Sequence, residues 1–149
     1  MWQEGVDTMD EDEKWSSAAF VAMSVHLTPE QMQSVIGLPP SRSHKIGDPV
    51  SKRRKAPTRD RHYYSIQSKS NEVDGMEVHI GEILALLEPR AEFIKKLASE
   101  AELSLFCGFS SGNGQGGFSL SPGMITRLSN LGLEVIFDLY PPSDVYEAT

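Results

Sequence analysis

A chain of 149 residues, 39% hydrophobic and 23% charged, is long enough to bury an ordinary core and far from disordered composition. No apolar run approaches the roughly 20 residues of a membrane span, and Met1-Trp2-Gln3-Glu4 lacks the pattern of a signal peptide. The single cysteine, Cys107, excludes an internal disulfide and a cysteine-based metal cage, so a soluble domain in the cytoplasm is expected.

The net charge of −7 is unevenly spread. Residues 1–13 hold six acids and no base, whereas residues 42–61 hold eight of the fourteen lysines and arginines against Asp48 and Asp60. An acidic chain with one strongly basic segment permits an electrostatic partner without naming it.

Residues 1–17 are acidic and aperiodic and are expected to form a mobile tail, followed by one α+β domain over 18–142 and a short tail at 143–149. The first strand reads from the alternation of Val21, Met23 and Val25 with Ala22, Ser24 and His26. Thr28-Pro29 with Gln31 is a helix start with a capping box. Met32, Val35 and Ile36 give that helix its apolar face, and Gly37 ends it. Five prolines and glycines in residues 39–61 argue against regular structure there. A strand follows over 62–69, with Tyr64 and Ile66 on one face.

Over residues 77–100, Ile80, Ile83, Leu84, Leu87, Ala91 and Ile94 mark a long helix that Pro89 must kink or restart. Leu103, Leu105, Cys107 and Phe109 then alternate with Ser104 and Gly108 as a strand. A glycine-rich loop leads to a helix opened by Ser121-Pro122, with Ile125, Leu128 and Leu131 predicted inward. The last strand, residues 133–140, has Leu133, Val135, Phe137 and Leu139 on one face and Glu134 and Asp138 on the other. The predicted fold is an α+β domain of order β-α-β-α-β-α-β. Its sheet is about four-stranded and mainly antiparallel, with three to four helices on one face. Leu27-Thr28-Pro29 and Leu120-Ser121-Pro122 echo each other, through either internal duplication or convergent use of a good helix start.

Leu38-Pro39-Pro40, Lys45-x-Gly47-Asp48-Pro49, Leu86-Leu87-x-Pro89, Leu105-x-Cys107-Gly108, Gly117-Phe118-Ser119-Leu120-Ser121 and Leu131-Gly132-Leu133 together resemble a bacterial family of domains of unknown function, number 4279. The resemblance covers roughly residues 18–142. It implies a small stand-alone domain with no established activity, and so no catalytic residues to carry over.

Gly112, Gly114 and Gly117 spell G-x-G-x-x-G between a strand and a helix. Phe118-Ser119-Leu120-Ser121 displaces the helix start from them, so the segment reads as a connection rather than a dinucleotide site. His26, His44, His62 and His79 lack metal-ligand spacing, with His26 and His79 at polar edge positions, and neither a metal nor a cofactor is implied. Cys107 shares a face with Leu105 and Phe109 and reads as core. Asp48 in Gly47-Asp48-Pro49 reads as a turn residue.

Without a catalytic constellation, a non-enzymatic protein-binding domain is expected, in concrete form an immunity- or antitoxin-like protein. Its candidate contacts are Lys52, Arg53, Arg54, Lys55, Arg59, Arg61, Asn113 and Gln115. The alternative is a small enzyme or ligand-binding domain using a cleft between the 42–61 and 110–118 loops, with Arg42, His44 and Asp48 as its candidate residues. Nucleic-acid binding through the basic loop comes third, against the acidity of the rest of the chain.

Overall fold

Alternation along β1 (Lys14–Ser24) sets the architecture: Ala18, Phe20 and Ala22 are fully buried on one face, while Trp15, Ser17, Ala19, Val21 and Met23 occupy the other. The computed structural model describes residues 14–140. After β1 come α1 (Pro29–Ile36), β2 (Arg42–His44), β3 (His62–Gln67), α2 (Met76–Leu87), one 3-10 turn (Glu88–Arg90), α3 (Ala91–Leu97), β4 (Glu102–Ser111), α4 (Pro122–Asn130) and β5 (Glu134–Tyr140).

The strands form one five-stranded sheet in the order β2-β3-β1-β4-β5, antiparallel except for the parallel β4–β5 pair. All helical core residues gather on the Ala18–Phe20–Ala22 face. Met32, Ile36, Ile80, Ile83, Leu84, Leu87, Ile94, Leu97 and Leu128 pack there with Tyr64, Ile66, Leu105 and Cys107. Small Ala18 and Ala22 on either side of Phe20 let α2 lie close across β1. The result is two layers, with helices on one side only.

Local chemistry explains the element ends. Thr28 Oγ1 accepts from the Gln31 N–H at 3.2 Å while the Thr28 N–H donates to Gln31 Oε1 at 2.9 Å, closing the capping box. Gly37 takes φ +83°, and its N–H donates to the Gln33 carbonyl to end α1. Pro89 breaks the long predicted helix into α2 and α3 through the 3-10 turn, since it has no N–H to donate. Ser121 Oγ accepts from the Met124 N–H at 3.1 Å to start α4.

Several expectations are corrected. Residues 14–17 belong to β1 rather than to a tail; residues 1–13 and 141–149 lie outside the described residues. The sheet has five strands and is mixed, because β2 forms inside the proline-rich stretch and α4 carries the chain over to a parallel β5. In β1, Ala18, Phe20 and Ala22 face the helices, while Val21 and Met23 turn away from them. Both faces of β1 are apolar, so alternation alone could not orient it.

In α4 the buried positions are Met124 and Leu128, while Ile125 is 53% exposed. Ala91 points to solvent. Phe137 and Leu139 share the helix-side face of β5 yet are 48% and 67% exposed, because they sit on the sheet's outermost strand. The echo between the two helix starts carries into topology, since β2 runs parallel to β1 as β5 does to β4. β3, however, is inserted in the first half only.

His79 also departs from expectation: it is 1% exposed rather than at a polar edge. Its Nε2 lies 3.0 Å from the Asn71 carbonyl, which can only accept, so Nε2 carries the proton. Its Nδ1, 2.7 Å from Ser68 Oγ, then accepts from that hydroxyl, and Ser68 Oγ accepts from the Ala18 N–H. This chain ties β1 to the β3–α2 connection. Replacing His79 with Ala strands the Asn71 carbonyl and is expected to cost about 1–3 kcal/mol in urea unfolding. A midpoint equal to wild type would refute the network's role.

Candidate functional site

The uncovered side of the sheet is where the chain concentrates unexplained side chains. Register aligns them in rows across the strands. One row runs Arg42, Ser65, Val21, Ser104, Glu134; the next runs Gln67, Ala19, Phe106, Ile136; beyond it come Ser17, Gly108 and Asp138, then Trp15, Ser110 and Tyr140. Small residues form the middle of this face and taller ones, Trp15, Tyr63, Met23, Phe106, Ile136 and Tyr140, stand around it. The outcome is a groove of about 530 Å³. Val21, Ser65 and Ser104 are only 4–6% exposed although no helix covers them, because those neighbours rise above them.

Trp15 forms one end wall. Its Nε1–H donates to Glu72 Oε2 at 2.8 Å, and its ring meets Tyr140 edge-on at 5.4 Å. Gly108 makes room for it: a Cβ there would come within 3.0 Å of both the Trp15 ring and Ser17 Oγ. On the opposite flank, the His44 ring lies 5.4 Å from Tyr63. Desolvation, with the nearby Arg59 and Arg42 charges, holds the His44 pKa below the ordinary imidazole value. The groove therefore has a cationic flank at Arg42 and an acidic one at Glu134 and Asp138. Five strands at about 4.8 Å spacing set the flanks roughly 19 Å apart.

The two-loop cleft does not exist. The basic loop hangs beyond His44 and His62, and His62 lies opposite Ser24 at the end of β1. The glycine loop follows Ser111, opposite Lys14 at the start of β1 and on its other side. An eleven-residue strand rising about 3.3 Å per residue separates these corners by roughly 33 Å. Of the three candidate cleft residues, Arg42 lines the groove and His44 lies tilted against Tyr63 at its flank. Asp48 Oδ2 turns back to accept from the Lys45 N–H at 2.8 Å, the turn role its sequence context suggests.

Lys52, Arg53, Arg54 and Lys55 are exposed on the loop, and Arg61 is engaged with Glu102. Arg59 is half-buried, with its Nε lacking a hydrogen-bond partner. Asn113 Oδ1 accepts from the Gln115 N–H at 2.9 Å, and the Gly114 N–H donates to the Ser111 carbonyl. These glycine-loop amides are used internally, and α4 starts only at Pro122, so the geometry of a dinucleotide cradle is not met. The loop, with Phe109, Phe118, Phe137 and Leu139, instead lines a smaller cavity of about 400 Å³.

Cys107 sits fully buried, and burial pushes its thiol up to about 12. It is expected to ignore thiol reagents until the protein unfolds; prompt labelling of native protein would contradict this core placement. Among the described residues no three metal-ligating side chains converge, and no helix is long and apolar enough to cross a membrane. Sequence reasoning missed Trp15, Phe106 and Ile136 as site residues. The available signal was apolar side chains at both parities of β1 and at Phe106 in β4.

No curated protein and no solved structure matches the chain. A family model described as a domain of unknown function, DUF4279, matches residues 13–142, from just before β1 to just past β5, and the chain belongs to that family.

Proposed function

We propose that this domain is a binding module rather than an enzyme, and that it grips a protein partner on the uncovered sheet face. One observation carries the reading: the side of the sheet left open by the helices is lined by Trp15, Val21, Met23, Tyr63, Phe106, Ile136 and Tyr140. A one-sided sheet ordinarily turns polar side chains to water. Aromatic and aliphatic groups around a floor of small residues suit a partner's apolar side chains, as the centres of protein interfaces do.

The charges set the orientation. Arg42 at one end of the floor row and Glu134 at the other favour a segment that crosses the strands with an acid toward β2 and a base toward β5. In the immunity- or antitoxin-like version, a basic partner domain meets the acidic flank of Glu134 and Asp138, and raising salt mainly slows association. The basic loop, at the far corner, is a secondary contact.

The test uses the intact protein for capture at low salt, followed by titration of the recovered partner. Phe106→Glu is expected to weaken binding by at least about 30-fold, the scale of an interface hot spot, with the melting temperature little changed. Alanine at Lys52, Arg53, Arg54 and Lys55 together is expected to leave most of the affinity. The reverse pattern would move the site to the basic loop. The groove's volume also falls in the range of small-molecule sites, so a thermal shift with a metabolite, abolished by Phe106→Glu, would favour a ligand over a protein.

A further inference from the structure

The two edges of the sheet are finished differently. β2 is three residues long and carries Arg42 and His44 before the chain enters the basic loop, so it offers little to a foreign strand. β5 is seven residues long, with no lysine and no proline to protect it. Among the described residues it pairs only with β4, so its other side presents unpaired backbone groups. Its helix-side face is wholly apolar, and Phe137 and Leu139 on it are 48% and 67% exposed.

We propose that β5 pairs antiparallel with β5 of a second copy about a two-fold axis through Phe137, joining the two sheets into one. Because side chains alternate, a two-fold that keeps both helix layers on the same side must centre on a residue. Centring on Ile136 sets Glu134 opposite Asp138, and centring on Asp138 sets that carboxylate opposite itself, so both oppose like charges.

Centring on Phe137 avoids this. Val135 then faces Leu139, Phe137 faces Phe137, Ile136 faces Asp138, and Glu134 faces Tyr140. The whole helix-side row becomes apolar against apolar, and all seven residues pair. The juxtaposed Phe137 rings continue the aromatic series in which Phe109 lies 5.3 Å from Phe118 and Phe118 lies 5.4 Å from Phe137. The sequence of β5 is self-complementary in the one register that uses its full length.

The full-length chain is tested by sedimentation over a wide concentration range. Wild type is expected to be a dimer, and Phe137→Lys and Leu139→Lys monomers with wild-type circular dichroism, since both positions are exposed. The register is tested by mild oxidation, because buried Cys107 does not compete. Residues directly opposite across an antiparallel pair are about 4.5–5.5 Å apart between Cα atoms, within disulfide range, so Phe137→Cys is expected to form a cross-linked dimer. Leu139→Cys lies four residues from its own copy and is expected not to. A wild type that stays monomeric, as when another strand or residues 141–149 cover this edge, would overturn the proposal. So would a dimer that survives Phe137→Lys, or failure of Phe137→Cys to bridge.

Discussion

Phe20→Ala is expected to remove about 3–5 kcal/mol of stability. Phe20 is fully buried at the middle of the central strand. It lies between Ile66 on β3 and Leu105 on β4, with the Tyr64 ring edge-on at 6.5 Å. The flanking Ala18 and Ala22 cannot swell into the space, and α2 is held in place by its other contacts, so the cavity stays open. With each kcal/mol worth about 2–4 °C in a domain of this size, the melting temperature is expected to fall by roughly 6–20 °C. Urea unfolding with an unchanged slope measures it, and a loss below about 1 kcal/mol would mean that β1 does not present Phe20 to the helices.

Gly108→Val is the second large effect, and it acts on the site. The backbone at Gly108 does not take the left-handed conformation, so the cost is steric: the added side chain collides with the Trp15 ring and Ser17 Oγ. Overpacking of this kind costs about 1–3 kcal/mol. Trp15 is expected to leave its place, giving up its bond to Glu72 and its contact with Tyr140, and partner affinity is expected to fall with it. In the Trp15→Ala background the same substitution should cost less, because one of its two obstacles is gone and only Ser17 Oγ remains. Equal costs in both backgrounds would show that Trp15 does not lie over Gly108.

What the sequence revealed depended on contrast between the faces of each strand. Leu105, Cys107 and Phe109 alternate with Ser104 and Gly108, and β4 was oriented correctly from that pattern alone. In β1 the pattern Trp15, Ala19, Val21, Met23 against Ala18, Phe20, Ala22 is apolar on both sides, so alternation reveals the strand without showing which face meets the helices. That ambiguity marks the site, since a strand apolar on both faces of a one-sided sheet has something to cover. Trp15 was hidden because the acids before it resemble a tail. β2 was hidden among prolines, and its three residues form only because β3 supplies the partner. The supposed cleft failed because loop length says nothing about which corner of a sheet a loop occupies. Helix starts at Thr28 and Ser121 were legible because capping is local chemistry.

The claim that the uncovered sheet face is the binding surface is tested most directly by a methyl-NMR titration of the full-length protein with its captured partner. The account predicts that methyl signals of Val21, Met23 and Ile136 in the groove shift or broaden, while those of Met32, Ile80 and Leu84 on the helix side stay put. Perturbation confined elsewhere, with the groove methyls silent, would contradict it.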